Sequence, residues 1–195
     1  KKGTVLTEQE KKLIAYHEVG HALIAARQKG TEPVSKITIV PHTQGALGYT
    51  MQTPEEEKFL NSKEELFSRI RILLGGRAAE EVVFHTATTG ASNDIQRATA
   101  IARKMVTVYG MSERLGTVSF DSGNDEVFIG RTMGHSRGYS EAVAAQIDQE
   151  VKDLVDGAYR RCQDILEAQR DKLEQVAQYL LEHETMERDA FLTVF

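Results

Sequence analysis

Five residues near the start of the chain, His17-Glu18-Val19-Gly20-His21, constrain the fold more than any other feature. Two histidines four positions apart share a face only when the backbone between them is α-helical. The flanks supply that helix. Thr7-Glu8-Gln9-Glu10 has the capping-box pattern, an N-cap hydroxyl followed three residues later by a carboxylate. Leu13, Ile14, Ala15, Val19, Ala22, Leu23 and Ala26 then recur with the helical period, and Gly30 is a natural stop. The reading is one long helix from Glu8 to about Lys29 with the HExxH pattern at its centre. Gly20 is a poor helix former, by about 1 kcal/mol against alanine, so its position implies close packing against a neighbour.

Two imidazoles on one helix face can bind a single Zn²⁺. Glu18, one residue after the first, reaches a water beside the ion rather than the ion itself. There it can act as a general base, while the metal lowers the pKa of the water and polarises a peptide carbonyl. The competing reading is a chance five-residue match with ordinary polar histidines, and the capped amphipathic helix around the motif argues against it. A catalytic zinc needs a third protein ligand and an open position. After His21 the next histidine is His42, too distant for the metzincin spacing. Asp94, Glu80, Glu81, His42, His85 and His135 qualify by residue type. Asp94 stands at the start of a helix after a glycine-containing loop, where a carboxylate can aim inward or simply cap backbone N–H groups. Arg77 and Glu81 form an ordinary i,i+4 pair. Residue chemistry alone leaves the third ligand open.

The remaining sequence is mainly α with a small β-sheet. Val34, Ile37, Ile39 and Val40 mark a strand ending at Pro41, and Gly45 to Met51 alternates as a second. A third is expected at Thr117–Phe120 or Val127–Ile129. The second strand, through Gly45, Ala46, Leu47, Gly48 and Tyr49, could take an extended substrate by β-augmentation, or merely cover the core. Ser62 caps a helix through Leu66, Ile70 and Leu74, interrupted at Gly75-Gly76 and resuming from Arg77 to Phe84. A small polar loop from His85 to Asn93 opens a helix from about Asp94 to Tyr109. The glycine-rich Gly130–Gly138 loop precedes a long helix from Ser140 to about Leu181, broken near Arg170-Asp171. Val143, Ile147, Val151, Leu154 and Val155 stripe that helix for core or subunit packing, and residues 140–195 can be read as a C-terminal helical subregion.

Several function classes drop out on composition. A net charge of −5 argues against nucleic-acid binding, which needs clustered Lys and Arg. The most apolar stretch, Ala22 to Ala26, is far short of the ~20 residues that span a bilayer, so no direct membrane insertion is expected. Cys162 is the lone cysteine, which excludes an internal disulfide and a cysteine-based metal site. The chain begins Lys1-Lys2-Gly3 and reads as a piece of a longer protein.

The HEVGH helix, Leu74-Gly75-Gly76-Arg77-Ala78-Ala79-Glu80-Glu81 and Thr88-Thr89-Gly90-Ala91-Ser92-Asn93-Asp94 together resemble the peptidase domain of the FtsH family. The likeness continues through Met111-Ser112-Glu113-Arg114-Leu115-Gly116, Val127-Phe128-Ile129-Gly130-Arg131 and Ile147-Asp148-Gln149-Glu150-Val151, in order along nearly the whole chain. The family comprises membrane-anchored, ATP-dependent zinc metalloproteases. The resemblance implies one Zn²⁺ held by His17, His21 and Asp94, with Glu18 as catalytic base and Glu80 beside the site as the carboxylate that orients a ligand histidine. It implies that residues 1–195 form a zinc metallopeptidase domain of largely helical fold, working as a hexamer on unfolded polypeptides. It also places the domain on the cytoplasmic, matrix or stromal side of a membrane. ATP would be used only by an AAA+ module in cis, since no Walker A loop occurs in these residues. A pseudo-protease keeping the fold without catalysis would be expected to lack Glu18, which is present. A purely helical interaction module would leave the HEVGH helix unexplained.

Overall fold

The computed structural model describes residues 6–29, 31–41, 47–54, 59–120 and 138–194. Helix α1 (Glu8–Ala26) opens with the Thr7/Glu10 capping box and ends three residues earlier than the apolar pattern implies. Strands β1 (Val34–Thr38) and β2 (Tyr49–Gln52) follow, then α2 (Lys63–Phe84), capped by Ser62. A 3₁₀ turn at Thr89–Ala91 leads into α3 (Ser92–Thr107). Helices α4 (Glu141–Ala168) and α5 (Arg170–His183) are separated by Gln169, where the sequence pattern places a break. Strand β3 (Thr185–Glu187) and a short α6 (Arg188–Leu192) complete the described part. No helix among the described residues is long and apolar enough to cross a membrane.

The sheet is antiparallel in the order β2-β1-β3. Ile37 pairs with Thr50 on one side and Met186 on the other, and a bulge lies between Val34 and Lys36. The third strand is therefore not Thr117–Phe120. That segment is irregular, tied by the Phe120 N–H donating to the Thr107 carbonyl at 2.8 Å. The other expected position, Val127–Ile129, lies outside the described residues. Thr185–Glu187 is too short to show a strand pattern by itself. It becomes one because α5 delivers it beside β1, where the Ile39 N–H donates to the Glu184 carbonyl.

Helix α2 also differs from expectation, running unbroken through Gly75-Gly76. Two glycines weaken an isolated helix, but here they let α1 and α2 cross backbone to backbone. A Cβ at Gly20 would lie 2.3 Å from the Gly75 carbonyl oxygen, and one at Gly75 would lie 2.7 Å from that of Gly20. Tertiary contact overrides local propensity at this crossing. Around it, Tyr16, Leu23, Ile24, Ile37, Ile70, Ile147, Leu166, Leu173 and Leu180 join one buried apolar cluster, with α4 packed on α2 and α5 on α1. Tyr16 donates its hydroxyl to Glu174, locking α1 to α5. The crossing holds the middle turns of α1, and hence the histidine pair, rigidly against α2.

Candidate metal centre

Two helices bring three side chains to one point. Helix α1 presents His17 and His21, and the first turn of α3 presents Asp94. The N-cap of α3 is Ala91, which makes no side-chain cap bond. Asp94 is therefore not the cap, and its carboxylate turns inward. Its Oδ2 is 3.2 Å from Nε2 of His17 and 3.2 Å from Nε2 of His21, and the two Nε2 atoms are 3.1 Å apart. Among the described residues this is the one group of three His, Cys, Asp or Glu side chains converging in this way.

The opposite ring nitrogens fix the tautomers. Nδ1 of His21 lies 2.6 Å from the Ile72 carbonyl, which can only accept, so Nδ1 carries the hydrogen. Nδ1 of His17 donates to Oε2 of Glu80 at 2.7 Å. With Nδ1 engaged in both rings, Nε2 is the nitrogen each can offer to a metal, and the two Nε2 atoms face each other and a carboxylate oxygen. Two ring nitrogens and a carboxylate oxygen within 3.2 Å of one another need a positive charge to hold them together, either a proton bridging His17 and Asp94 or a cation at the centre. A tetrahedral ion with bonds of about 2.0–2.1 Å keeps its donors about 3.3 Å apart, so the triangle fits zinc without rearrangement.

In the metal-free site that charge is a proton. Burial works against a charge on His17, yet the Asp94 and Glu80 carboxylates outweigh it and raise its pKa to about 9. Burial likewise opposes ionisation of Asp94, but hydrogen bonds from the two imidazoles hold it well below the usual carboxylate range. Glu80, 1% exposed, is lowered despite its burial by hydrogen bonds from His17 and Thr88. Glu18 goes the other way. Its burial raises it, with His21 and His17 pulling it back down. A buried carboxyl that holds its proton more tightly than usual, one residue from a metal-binding histidine, suits proton transfer.

The triangle lines a cleft of about 1,100 Å³ together with Leu13, Ile14, Leu47, Tyr49, Leu73 and Ile101. Strand β2 borders it, tied to α1 by the Thr50 hydroxyl donating to the Glu18 carbonyl at 2.8 Å. Gly48 permits this approach, since a Cβ there would meet the Thr38 carbonyl at 2.8 Å and Cγ of Glu18 at 3.2 Å. Of the residues expected to contact substrate, Leu47, Gly48 and Tyr49 line the cleft, while Gly45 and Ala46 lie outside the described residues. Of the other candidate ligands, Glu81 instead accepts from the Tyr159 hydroxyl, and His85 is the exposed left-handed C-cap of α2. His42 and His135 lie outside the described residues.

No role follows from the sequence for Thr88, Ile72 or Gly76, all of which touch the site. Ile72 acts through its carbonyl, which no side-chain pattern reports. Gly76 leaves room for His17, because a Cβ there would stand 2.4 Å from Nε2. Its one signal is a second glycine where a helix should carry a side chain.

The family model of peptidase family M41 matches residues 4–194. The chain is 49% identical over 195 residues to the ATP-dependent zinc metalloprotease FtsH 1 of Thermoanaerobacter sp. (strain X514), covering 100% of this chain and 32% of that protein. It is 50% identical over 194 residues to the FtsH of Clostridium perfringens, covering 100% of this chain and 27% of that protein. The FtsH of Thermotoga maritima is 48% identical over 189 residues, 97% of this chain and 31% of that protein. The chain thus spans about a third, or less, of the length of these curated relatives.

Proposed function

This chain belongs to peptidase family M41, and from that premise we propose that it is the zinc endopeptidase domain of a membrane-anchored, ATP-dependent protease. The substrates proposed are unfolded or damaged membrane and cytosolic proteins. The observation that carries this reading is the convergence of His17, His21 and Asp94 on one point, with the buried carboxyl of Glu18 one residue from the first histidine. Zinc held there would polarise a peptide carbonyl and acidify a water, supplying the electrophile of a hydrolase.

The chain's own residues do the rest. His17 and His21 hold the metal through Nε2, Asp94 through a carboxylate oxygen, and Glu80 keeps His17 in the required tautomer. Glu18 accepts the proton of the attacking water and returns it to the leaving amine. Strand β2, at the edge of the sheet, aligns an extended peptide by backbone hydrogen bonds, which suits broad sequence tolerance. The names of the relatives, and the two thirds of their length beyond this match, support an AAA+ module in cis that spends ATP to deliver the substrate. By family resemblance the whole protein is a homo-hexamer with this domain on the cytoplasmic, matrix or stromal side.

The test pairs zinc stoichiometry with casein hydrolysis in a form of the protein that is active. Glu18→Gln should retain one zinc and lose hydrolysis, because an amide cannot accept the proton. His21→Ala should lose both. Near-normal hydrolysis by Glu18→Gln would overturn the role of the base, whatever the metal content.

A further inference from the structure

The carboxylate that orients His17 is itself held almost entirely by one residue. Glu80 is buried, 1% exposed, so water cannot supply its hydrogen bonds. Oε2 accepts from His17. Oε1 accepts twice from Thr88, from its backbone N–H at 3.1 Å and from its hydroxyl at 2.5 Å. The same hydroxyl oxygen accepts the Gly90 N–H at 3.2 Å, closing the 3₁₀ turn that leads into α3 and Asp94. Arg77, from α2, donates to the Thr88 carbonyl at 3.4 Å. Every hydrogen-bonding group of Thr88 is therefore engaged at this junction.

We infer that Thr88 is a positioning residue for the metal centre, acting through Glu80 on His17 while its turn sets the approach of Asp94. A hydroxyl is required because the position needs a donor toward Glu80 and an acceptor toward Gly90 on one atom. Valine has the right shape and neither function. An acidic side chain could cap Gly90 but would oppose Glu80. Loss of the hydroxyl leaves a buried carboxylate short of a donor, and Glu80 then rotates away from His17 Nδ1. The inference rests on the zinc reading above, and it also makes a claim about the metal-free chain.

The experiment compares wild type, Thr88→Val and Thr88→Ser. In the metal-free chain, the hydrogen-bonded Nδ1 proton of His17 should give a protected downfield NMR resonance in wild type and Thr88→Ser, lost or broadened in Thr88→Val. Chelator competition should show zinc binding weakened by about tenfold in Thr88→Val, at the lower end of the effect of removing a ligand's orienting partner, and unchanged in Thr88→Ser. In a Glu80→Gln background, Thr88→Val should produce little further weakening, because its route to His17 is already cut. An unchanged His17 resonance in Thr88→Val would overturn the inference. So would an equal loss of zinc affinity in the presence and absence of the Glu80 carboxylate. Failure of the wild-type chain to bind zinc would instead overturn the zinc reading, and the His17 resonance would still decide the role of Thr88.

Discussion

The Gly76→Ala substitution probes the metal centre from beneath. Its Cβ would lie 2.4 Å from Nε2, 2.5 Å from Cε1 and 2.7 Å from Cδ2 of His17. Ordinary carbon contacts are about 3.5–4.0 Å, so the imidazole must move by about 1 Å. The fold tolerates this, because the clash is with the far end of a side chain. Alanine gains about 1 kcal/mol of helix propensity over glycine, and local overpacking costs about 1–3 kcal/mol, leaving a net cost of about 0–2 kcal/mol in the metal-free protein. The site does not tolerate it, since donor distances must hold to about 0.2 Å. Zinc affinity should fall at least about a hundredfold, or roughly 2.8 kcal/mol. Zinc should then cease to raise Tm, although it adds about 2.7 kcal/mol to a binding-competent protein at a hundredfold excess over Kd. The control is Gly20→Ala, where the nearest atom is the rigid Gly75 carbonyl at 2.3 Å. There the helix crossing itself must open, and the metal-free protein should lose stability. Differential scanning calorimetry with and without zinc, beside chelator competition, separates the two. Wild-type zinc affinity in Gly76→Ala would refute the claim that this glycine makes room for the ligand.

Two further predictions concern ligand order and the core. Asp94→Ala should remove most bound zinc, whereas Glu80→Gln should weaken it only about 10–100-fold; the reverse order in titrations would make Glu80 the ligand. Burial raises the Cys162 thiol from its ordinary 9 to about 12, so the folded thiol stays protonated where the unfolded one ionises. The unfolded state then binds fewer protons above pH 9, and stability falls as pH rises from there, by up to about 1.4 kcal/mol per unit from this group. Denaturant midpoints between pH 8 and 11 should drop less steeply in Cys162→Ala than in wild type, and native Cys162 should resist alkylation. Equal slopes in the two proteins would exclude that contribution.

The HExxH helix was legible because its information is local. A capping box, a 3.6-residue apolar period and two histidines four apart specify one helix with two imidazoles on one face, and α1 carries them so. The break between α4 and α5 and the mainly helical class were legible for the same reason. Asp94 was not, on residue chemistry alone. Its inward aim depends on Ala91 taking the N-cap and on the first turn of α3 reaching the histidines of α1, His17 lying 77 residues away in sequence. Family resemblance named it, and packing explains it. Glycine meant opposite things at two levels. Gly75-Gly76 signals a break when only propensity counts, yet α2 runs through them because Gly20 and His17 occupy the space their side chains would fill. Strand β3 likewise exists only through its partner β1. The sequence by itself thus determined which side chains could bind a cation on one helix. The tertiary structure decided which carboxylate joins them, which way each ring faces and what holds it there, because those depend on distances between segments that local pattern does not encode.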